Sequence, residues 1–217
     1  MIMALKHAVI FLCCLTCPSW VFSGKVIFKE NGSKDLSYAQ ESSTWPTPPS
    51  WRNRTLTARY IAHYADWGVL SGISERDHVT PFGVLQSFAD GPLNKSTGRP
   101  FFYISDMSTV YRMVKNNNAF SLTLSEAESN LCTKQGMDPE LPTCAQITLS
   151  GKMEPVDPKD VMFAQTSLFA RHPQMKDWPV GHNWKIYELM VNSVWIIDYF
   201  GGAVILPAED YYKIKFP

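Results

Sequence analysis

The stretch WGVLSGISERDHVTPFGVLQSFADG, residues 67–91, decides the fold. Small and apolar side chains alternate in its two halves, residues 69–73 and 84–89, and turn-forming residues lie between them. A period of two residues is typical of strands, so this stretch predicts an antiparallel hairpin. Its Gly and Ser positions allow a bent strand to pass close to a neighbouring chain. We expect the later strands to pair onto this hairpin.

The first residues have the features of a secretory signal. Lys6 and His7 precede an apolar run over residues 8–15, and small residues follow around Val21 and Ser23. This pattern predicts a cleaved signal peptide over residues 1–23. A membrane anchor is disfavoured because the apolar run is well short of the about 20 residues that cross a bilayer.

The mature chain is predicted to contain a flexible arm followed by one domain. Residues 24–50 are rich in Ser, Thr and Pro, which predicts the arm. Residues 51–217 are long and apolar enough to form a single core. Twenty basic residues balance twenty acidic ones without a dense basic cluster, which argues against nucleic-acid binding. The later apolar segment, residues 194–206, is interrupted by Asp198 and two glycines, so we predict no membrane span.

Two cysteines remain after the predicted signal is removed. Cys13, Cys14 and Cys17 belong to the signal, whereas Cys132 and Cys144 belong to the mature domain. An isolated pair in a chain that enters an oxidising compartment predicts one disulfide. Closing a loop of this length stabilises a fold by about 2–3 kcal/mol, so the core must still carry the domain.

A helix is predicted ahead of the hairpin. Leu56, Tyr60, His63 and Tyr64 recur at helical spacing, with Asn53 or Thr55 as the N-cap and Gly68 as the stop. His63 is interpreted as a helix-face residue, since no second His or carboxylate lies at i+4 to form a metal site with it.

The rest of the domain alternates strands with a few helices. We predict strands at residues 101–105, 120–124, 147–153, 184–191, 194–199 and 203–206, of which 184–191 and 194–199 form a long pair that can contain a bulge. Helices are predicted after Asp106 as N-cap, from Asp157 and Pro158 to His172, and from Pro207 to Asp210. Some eight antiparallel strands with three or four helices favour an α+β fold built on a closed or split β-barrel, because closure removes exposed strand edges.

A series of motifs in this order resembles the CREG (cellular repressor) family of secreted glycoproteins. The motifs span roughly residues 56–212 and read DWGVLSGIS, PFGVLQSFADGP, FFYIS, SLTLSEAESNLC, SLFARHPQMKDWP, HNW and VWIIDYFGG. The resemblance implies an FMN-binding split barrel like that of pyridoxamine-phosphate oxidases, a homodimer, and entry into the secretory and lysosomal route. It also implies a flavoenzyme scaffold that is used without a flavin.

The residues at the expected phosphate site argue against FMN. The phosphate carries close to two negative charges, and flavin split barrels meet it with Arg, Lys, Ser and Thr. The second strand has no cation, and the turn of residues 105–109 places Asp106 among its hydroxyls. Arg112 and Lys115 are interpreted as a solvated helix face, so we expect no cofactor, with FMN as the disfavoured alternative.

No catalytic residues are predicted. The sequence has no G-x-S-x-G elbow that would position a serine nucleophile for His172 or His182. We therefore expect both histidines to satisfy loop backbone groups. Trp178, Trp184 and Trp195 are expected in the core or at a dimer face. Two hypotheses therefore remain: a non-catalytic secreted or endolysosomal protein that binds a sorting receptor or lysosomal protein, and an FMN-dependent oxidoreductase.

The sequence also predicts assembly and modification. Strands with two apolar faces, at residues 84–89 and 194–197, predict a homodimer through one face of the barrel. Acceptor sequons at Asn31, Asn53 and Asn94 lie in segments predicted to be exposed, so we expect N-glycosylation there.

Overall fold

The computed structural model describes residues 45–216. The predicted signal peptide, most of the predicted arm and the Asn31 sequon lie outside these residues. The predicted arm ends earlier than Ser50, because Trp45 is buried in the core. Its indole contacts the rings of Tyr60 and Tyr64 at centroid distances of 5.7 and 6.3 Å.

Seven antiparallel strands form one curled sheet in the described part of the chain. They are β1 (Trp67–Ile73), β2 (Pro81–Ser87), β3 (Phe101–Ser105), β4 (Ala119–Ser125), β5 (Gln146–Pro155), β6 (Trp184–Ile197) and β7 (Val204–Pro207). The strand order is β2-β1-β4-β5-β6-β3, with β7 on the other part of β6. Just beyond β2, Ala89 forms an isolated antiparallel bridge with Phe101 of β3, so the two ends of the curled sheet come together at one point.

Five α-helices surround this barrel within residues 45–216. They are α1 (Arg54–Tyr64), α2 (Thr109–Asn116), α3 (Leu131–Lys134), α4 (Val161–Arg171) and α5 (Ala208–Lys213). The barrel interior and α1 share one hydrophobic core, and a smaller core lies between α4 and β3. No helix in this part of the chain is long and apolar enough to cross a membrane.

The hairpin predicted in residues 67–91 is confirmed, and a small residue in it allows the close approach to a neighbouring strand that was predicted. β1 pairs with β2 on one side and with β4 on the other. A Cβ atom on Gly68 would lie 2.3 Å from Leu124 Cδ2 and 2.8 Å from the Thr123 carbonyl oxygen. Glycine is therefore needed for β1 to approach β4.

Several predicted boundaries are wrong by a few residues. Helix α1 ends at Tyr64 rather than at Gly68, because Trp67 already starts β1. Helix α2 is capped by Ser108 rather than Asp106, since the Ser108 hydroxyl accepts the Tyr111 N–H at 3.1 Å. Helix α4 begins at Val161, three residues after the proline that was expected to start it.

The two strands predicted at residues 184–191 and 194–199 are one continuous strand, β6. Its pairing with β5 shifts by one residue between Ser150 and Gly151, which leaves Asn192 as the extra residue of a bulge. A Cβ atom on Gly151 would lie 2.0 Å from the Met190 carbonyl oxygen, so glycine permits the close approach. The strand therefore bends without ending, and the sheet has seven strands instead of eight.

Cys132 and Cys144 form a disulfide in the structure, with their Cα atoms 5.6 Å apart. Both residues are fully buried. The bond ties α3 to the start of β5.

Candidate functional site: the outer barrel face and the β3–α2 turn

A row of uncharged side chains crosses the outside of the barrel. Strand register aligns one residue from each of six strands, which are Leu85, Val69, Thr123, Thr148, Trp195 and Ile205. Leu85 and Ile205 at its ends are 70% and 63% exposed. The threonines at its centre hydrogen-bond through their hydroxyls at 3.1 Å.

A second row runs beside the first and consists of small residues. It contains Gly83, Ser71, Ser121, Ser150, Ser193 and Pro207. We call these two rows together the outer barrel face. Neither row contains a charged side chain, and depletion of charge with exposed apolar and aromatic groups is characteristic of the centre of a protein interface. Trp195, predicted to be a core or dimer-face aromatic, lies on this face.

The turn between β3 and α2 is where a flavin phosphate would have to be tested. The Ser105 hydroxyl donates to the His182 carbonyl oxygen at 2.9 Å and accepts the Met107 N–H at 3.1 Å. The Asp106 carboxylate accepts a hydrogen bond from the Asn183 amide at 2.6 Å. The polar groups of the turn are thus engaged with protein partners, and its one charge is negative.

Arg112, a cation near this turn, also forms hydrogen bonds with protein groups. Arg112 donates to the carboxylate of Glu75 at 3.1 Å, to the Met107 carbonyl oxygen at 2.9 Å and to the Thr109 hydroxyl at 3.0 Å. The hydrogen bond from Arg112 lowers the pKa of the Glu75 carboxyl. A dianionic phosphate would meet Asp106 and would have to compete with Glu75 for Arg112. The residues of this turn therefore do not fit an FMN phosphate.

The two histidines considered for catalysis lie in different surroundings. His172 is buried, and its Nε2 donates to the Phe88 carbonyl oxygen at 2.8 Å, as predicted for a residue that satisfies backbone. Burial lowers the pKa of its imidazole. His182 lies beside Trp184 at the edge of an aromatic stack that also contains Tyr103 and Trp178. Among residues 45–216 no group of three or more His, Cys, Asp or Glu side chains is placed to hold a metal.

His63 belongs to a buried polar cluster that sequence reasoning missed. Its Nδ1 lies 2.7 Å from Asp90 Oδ1, and both side chains are fully buried. The other Asp90 oxygen accepts the Ser96 hydroxyl at 2.5 Å and the Gly98 N–H at 3.0 Å. Ser96 in turn accepts a hydrogen bond from the guanidinium of buried Arg59 at 2.6 Å. The sequence feature that could have indicated this cluster is Asp90, a carboxylate that directly follows an apolar strand segment.

Two of the three sequons lie on exposed positions of the described chain. Asn53 is the N-cap of α1, and its Oδ1 accepts the Leu56 N–H at 3.2 Å, which leaves the amide nitrogen, the atom that carries a glycan, outside that bond. Asn94 is exposed in the loop of residues 90–98. The hydroxyl residue of the Asn94 sequon is Ser96, which the buried polar cluster also uses.

Comparison with known proteins shows the family. A family model described as "CREG, beta-barrel" matches residues 49–213. Human Protein CREG1 is 37% identical over 185 residues, which cover 84% of each chain. Mouse Protein CREG2 is 39% identical over 181 residues, which cover 82% of this chain and 62% of that one.

A solved structure, a heme binding protein from Mycobacterium smegmatis, superimposes with a TM-score of 0.57 at 18% identity, over 71% of this chain and 58% of that one. At this identity the likeness concerns the fold alone, and the fold is the split β-barrel that the motifs implied. The chain belongs to the CREG family.

Proposed function

We propose that this protein is a non-catalytic, secreted or endolysosomal homodimeric glycoprotein that acts by binding a protein partner, such as a sorting receptor or a lysosomal protein. The observation that carries the proposal is the outer barrel face, which presents uncharged residues from six strands with Leu85 and Ile205 largely exposed. A face of this kind gains free energy when a second surface removes it from water.

An FMN-dependent oxidoreductase is the alternative on the same fold. Its weakness is the β3–α2 turn, where the charge within residues 105–109 is the carboxylate of Asp106 and Arg112 is held by Glu75. The purified protein should be colourless and should not retain FMN on gel filtration after incubation with the free cofactor. Absorption at the flavin bands that persists after gel filtration would overturn the non-catalytic assignment.

We predict that Leu85→Glu separates the dimer. Leu85 is 70% exposed at the end of the first row, so the carboxylate can be accommodated in a folded monomer but must be desolvated in a dimer that buries this face. The dimer dissociation constant should rise by about 100-fold or more, because a twofold interface contains the substitution twice. Light scattering and sedimentation across a concentration series measure the change.

Val180→Glu is the matched control for this substitution. Val180 is 97% exposed and lies outside both rows of the outer barrel face, so its replacement should leave the dimer intact. A monomeric unsubstituted protein at micromolar concentration, or equal behaviour of the two variants, would contradict the assignment of the dimer to this face.

We predict that Asn94 carries a glycan when the chain is expressed in a eukaryotic secretory cell. Asn94→Gln should remove one endoglycosidase-sensitive increment of mass while leaving stability nearly unchanged, because the side chain is exposed. Ser96→Ala should remove the same glycan and also destabilise the protein, since Ser96 links Arg59 to Asp90. Ser96→Thr keeps the sequon and serves as the control. An unmodified Asn94 in the peptide map would remove this site.

A further inference from the structure

A cavity of about 270 Å³ lies at the end of the barrel where α1 begins. Its walls come from five places in the chain: residues 48–51 before α1, Thr57 on α1, the turn that contains Glu126, residues 131–145 around the disulfide, and residues 198–199 after β6. Two of the side chains that line it are buried carboxylates, Glu126 and Asp198. The cavity is separate from the outer barrel face and from the β3–α2 turn.

Asp198 is the unusual member of this pair. It is 5% exposed, and neither of its carboxylate oxygens has a hydrogen-bond partner. Arg54 Nε lies 3.2 Å from Asp198 Oδ1, so the two charges attract, but the N–H is not directed at the oxygen and no hydrogen bond forms. A buried carboxylate without hydrogen bonds is costly, because it loses water and gains no donor in return.

Glu126 adds a second carboxylate that is 6% exposed. Its Oε2 accepts the Ala145 N–H at 3.2 Å. Burial, and secondarily the charge of Asp198, raise the pKa of Glu126 to about 7. When both acids are ionised, Arg54 balances only one of the two negative charges, so the cavity favours a guest that brings a positive charge and N–H donors.

The apolar wall of the cavity suits the same guest. The rings of Trp51 and Tyr199 are stacked, with centroids 4.4 Å apart and planes 11° from parallel. The guanidinium carbon of Arg52 already lies 4.4 Å from the centroid of the Trp51 ring. Aromatic faces attract cations, and this contact shows that the indole accepts a guanidinium.

We propose that this cavity is a binding site for a guanidinium or ammonium group, such as that of a basic side chain presented by another polypeptide. The charged head would approach the carboxylates of Asp198 and Glu126, which line the cavity, while its alkyl part lies against Trp51 and Tyr199. A site with two carboxylates and one arginine does not suit an anion. Nor does it offer the larger oxygen set that a divalent ion requires.

Binding at this cavity is coupled to pH. The titratable groups that interact with Glu126 are Asp198 after β6 and the Tyr60 hydroxyl on α1, while Arg54 at the start of α1 faces Asp198. Protonation of Glu126 removes one of the two negative charges that attract the guest. Affinity should therefore fall as the pH decreases from 7.5 to 5.5.

The test uses the mature glycoprotein and the blocked peptide Ac-Gly-Arg-Gly-NH2, with the citrulline peptide as a neutral control of the same shape. Titrations followed by amide and indole NMR signals should shift Trp51 and Gln135 with the arginine peptide and leave them in place with citrulline. Methylguanidinium is the second probe: tighter binding of the peptide identifies a polypeptide side chain, whereas equal binding identifies a free small cation.

Variants locate the site. Asp198→Asn should weaken the arginine peptide by about 10-fold or more and should fold at least as well as the parent, because it removes a buried carboxylate that lacks hydrogen bonds. Asp157→Asn, which removes one exposed carboxylate elsewhere, should leave affinity unchanged. Thermal unfolding checks the fold of each variant, and light scattering keeps this result distinct from dimerisation. Equal shifts with citrulline, or an unchanged affinity in Asp198→Asn, would overturn the proposal.

Discussion

Asp90→Ala is expected to lower the free energy of unfolding by about 3–5 kcal/mol, the range for removing one partner from a buried, hydrogen-bonded charge network. Asp90 is fully buried and accepts hydrogen bonds from His63, Ser96 and the Gly98 N–H. Alanine would leave these donors without an acceptor in the core. Urea unfolding of the mature protein, followed by tryptophan fluorescence, measures the loss.

The size of this effect follows from what the cluster connects. Arg59 lies on α1 and donates to the carbonyl oxygens of Tyr211 and Ile214 near the C-terminus, and through Ser96 it reaches Asp90. The Tyr211 hydroxyl donates to the Gly98 carbonyl oxygen at 3.1 Å. The buried cluster therefore ties α1, the loop of residues 90–98 and α5 together.

Two further variants separate this role from a simple loss of charge. Asp90→Asn retains one acceptor oxygen and should cost less than the alanine substitution. Asp177→Ala removes an exposed carboxylate and should change stability by no more than about 0.5 kcal/mol. A loss under about 1 kcal/mol for Asp90→Ala would show that the cluster does not hold these elements together.

The parts of the fold that were predictable from the sequence are those encoded by local patterns. Alternation in residues 67–73 and 119–125 predicted β1 and β4, because one face of each strand is buried and the other is not. Strand β2 alternates in sequence as well, although none of its residues is buried. For β6 the pattern predicts a long pair of strands that can contain a bulge, but it does not predict one continuous strand. Asn192 and Ser193 interrupt the apolar pattern, and only the pairing with Gly151 of β5 shows that the strand continues through a bulge.

The buried polar groups were harder to predict, because their partners are distant in the chain. His63 has the spacing of an ordinary helix residue, and its partner Asp90 lies 27 residues later. Arg59 contacts the Tyr211 carbonyl oxygen across 152 residues. No periodicity links such pairs. The cavity beside Asp198 was missed for the same reason, since its walls come together only after the barrel has closed.

Stability is expected to decrease as the pH rises from about 5.5 to 8.5. Burial raises the pKa of Glu126 to about 7 and that of Glu128 to about 8, both from an ordinary value of 4.5, and burial also raises the pKa of Asp198. Above pH 5.5 these acids are ionised in the unfolded chain, whereas the folded protein keeps their protons until the pH passes the raised values. The folded state therefore binds more protons, so the free energy of unfolding falls with rising pH.

The fall should amount to about 2–4 kcal/mol, because each pKa unit of difference corresponds to 1.36 kcal/mol and the two glutamates remain partly hydrated. His172 acts in the opposite sense: burial lowers its pKa, so proton uptake by the unfolded chain reduces stability below about pH 6.5. The greatest stability should thus lie on the acidic side of neutrality, which suits the endolysosomal part of the proposed function. Urea unfolding at pH 5.5, 7.0 and 8.5 measures the profile.

Glutamine substitutions identify the groups responsible for this slope. The double variant Glu126→Gln with Glu128→Gln replaces both acids by neutral side chains of the same size, so its stability should lose more than half of the dependence on pH. Glu140→Gln changes an exposed acid and should leave the slope as it is. If the parent became more stable toward pH 8.5, or if the double variant kept the full slope, Glu126 and Glu128 would not be the source. We expect the slope to arise from these two acids because each occupies the turn after β4, where the chain leaves the sheet but remains covered by neighbouring elements.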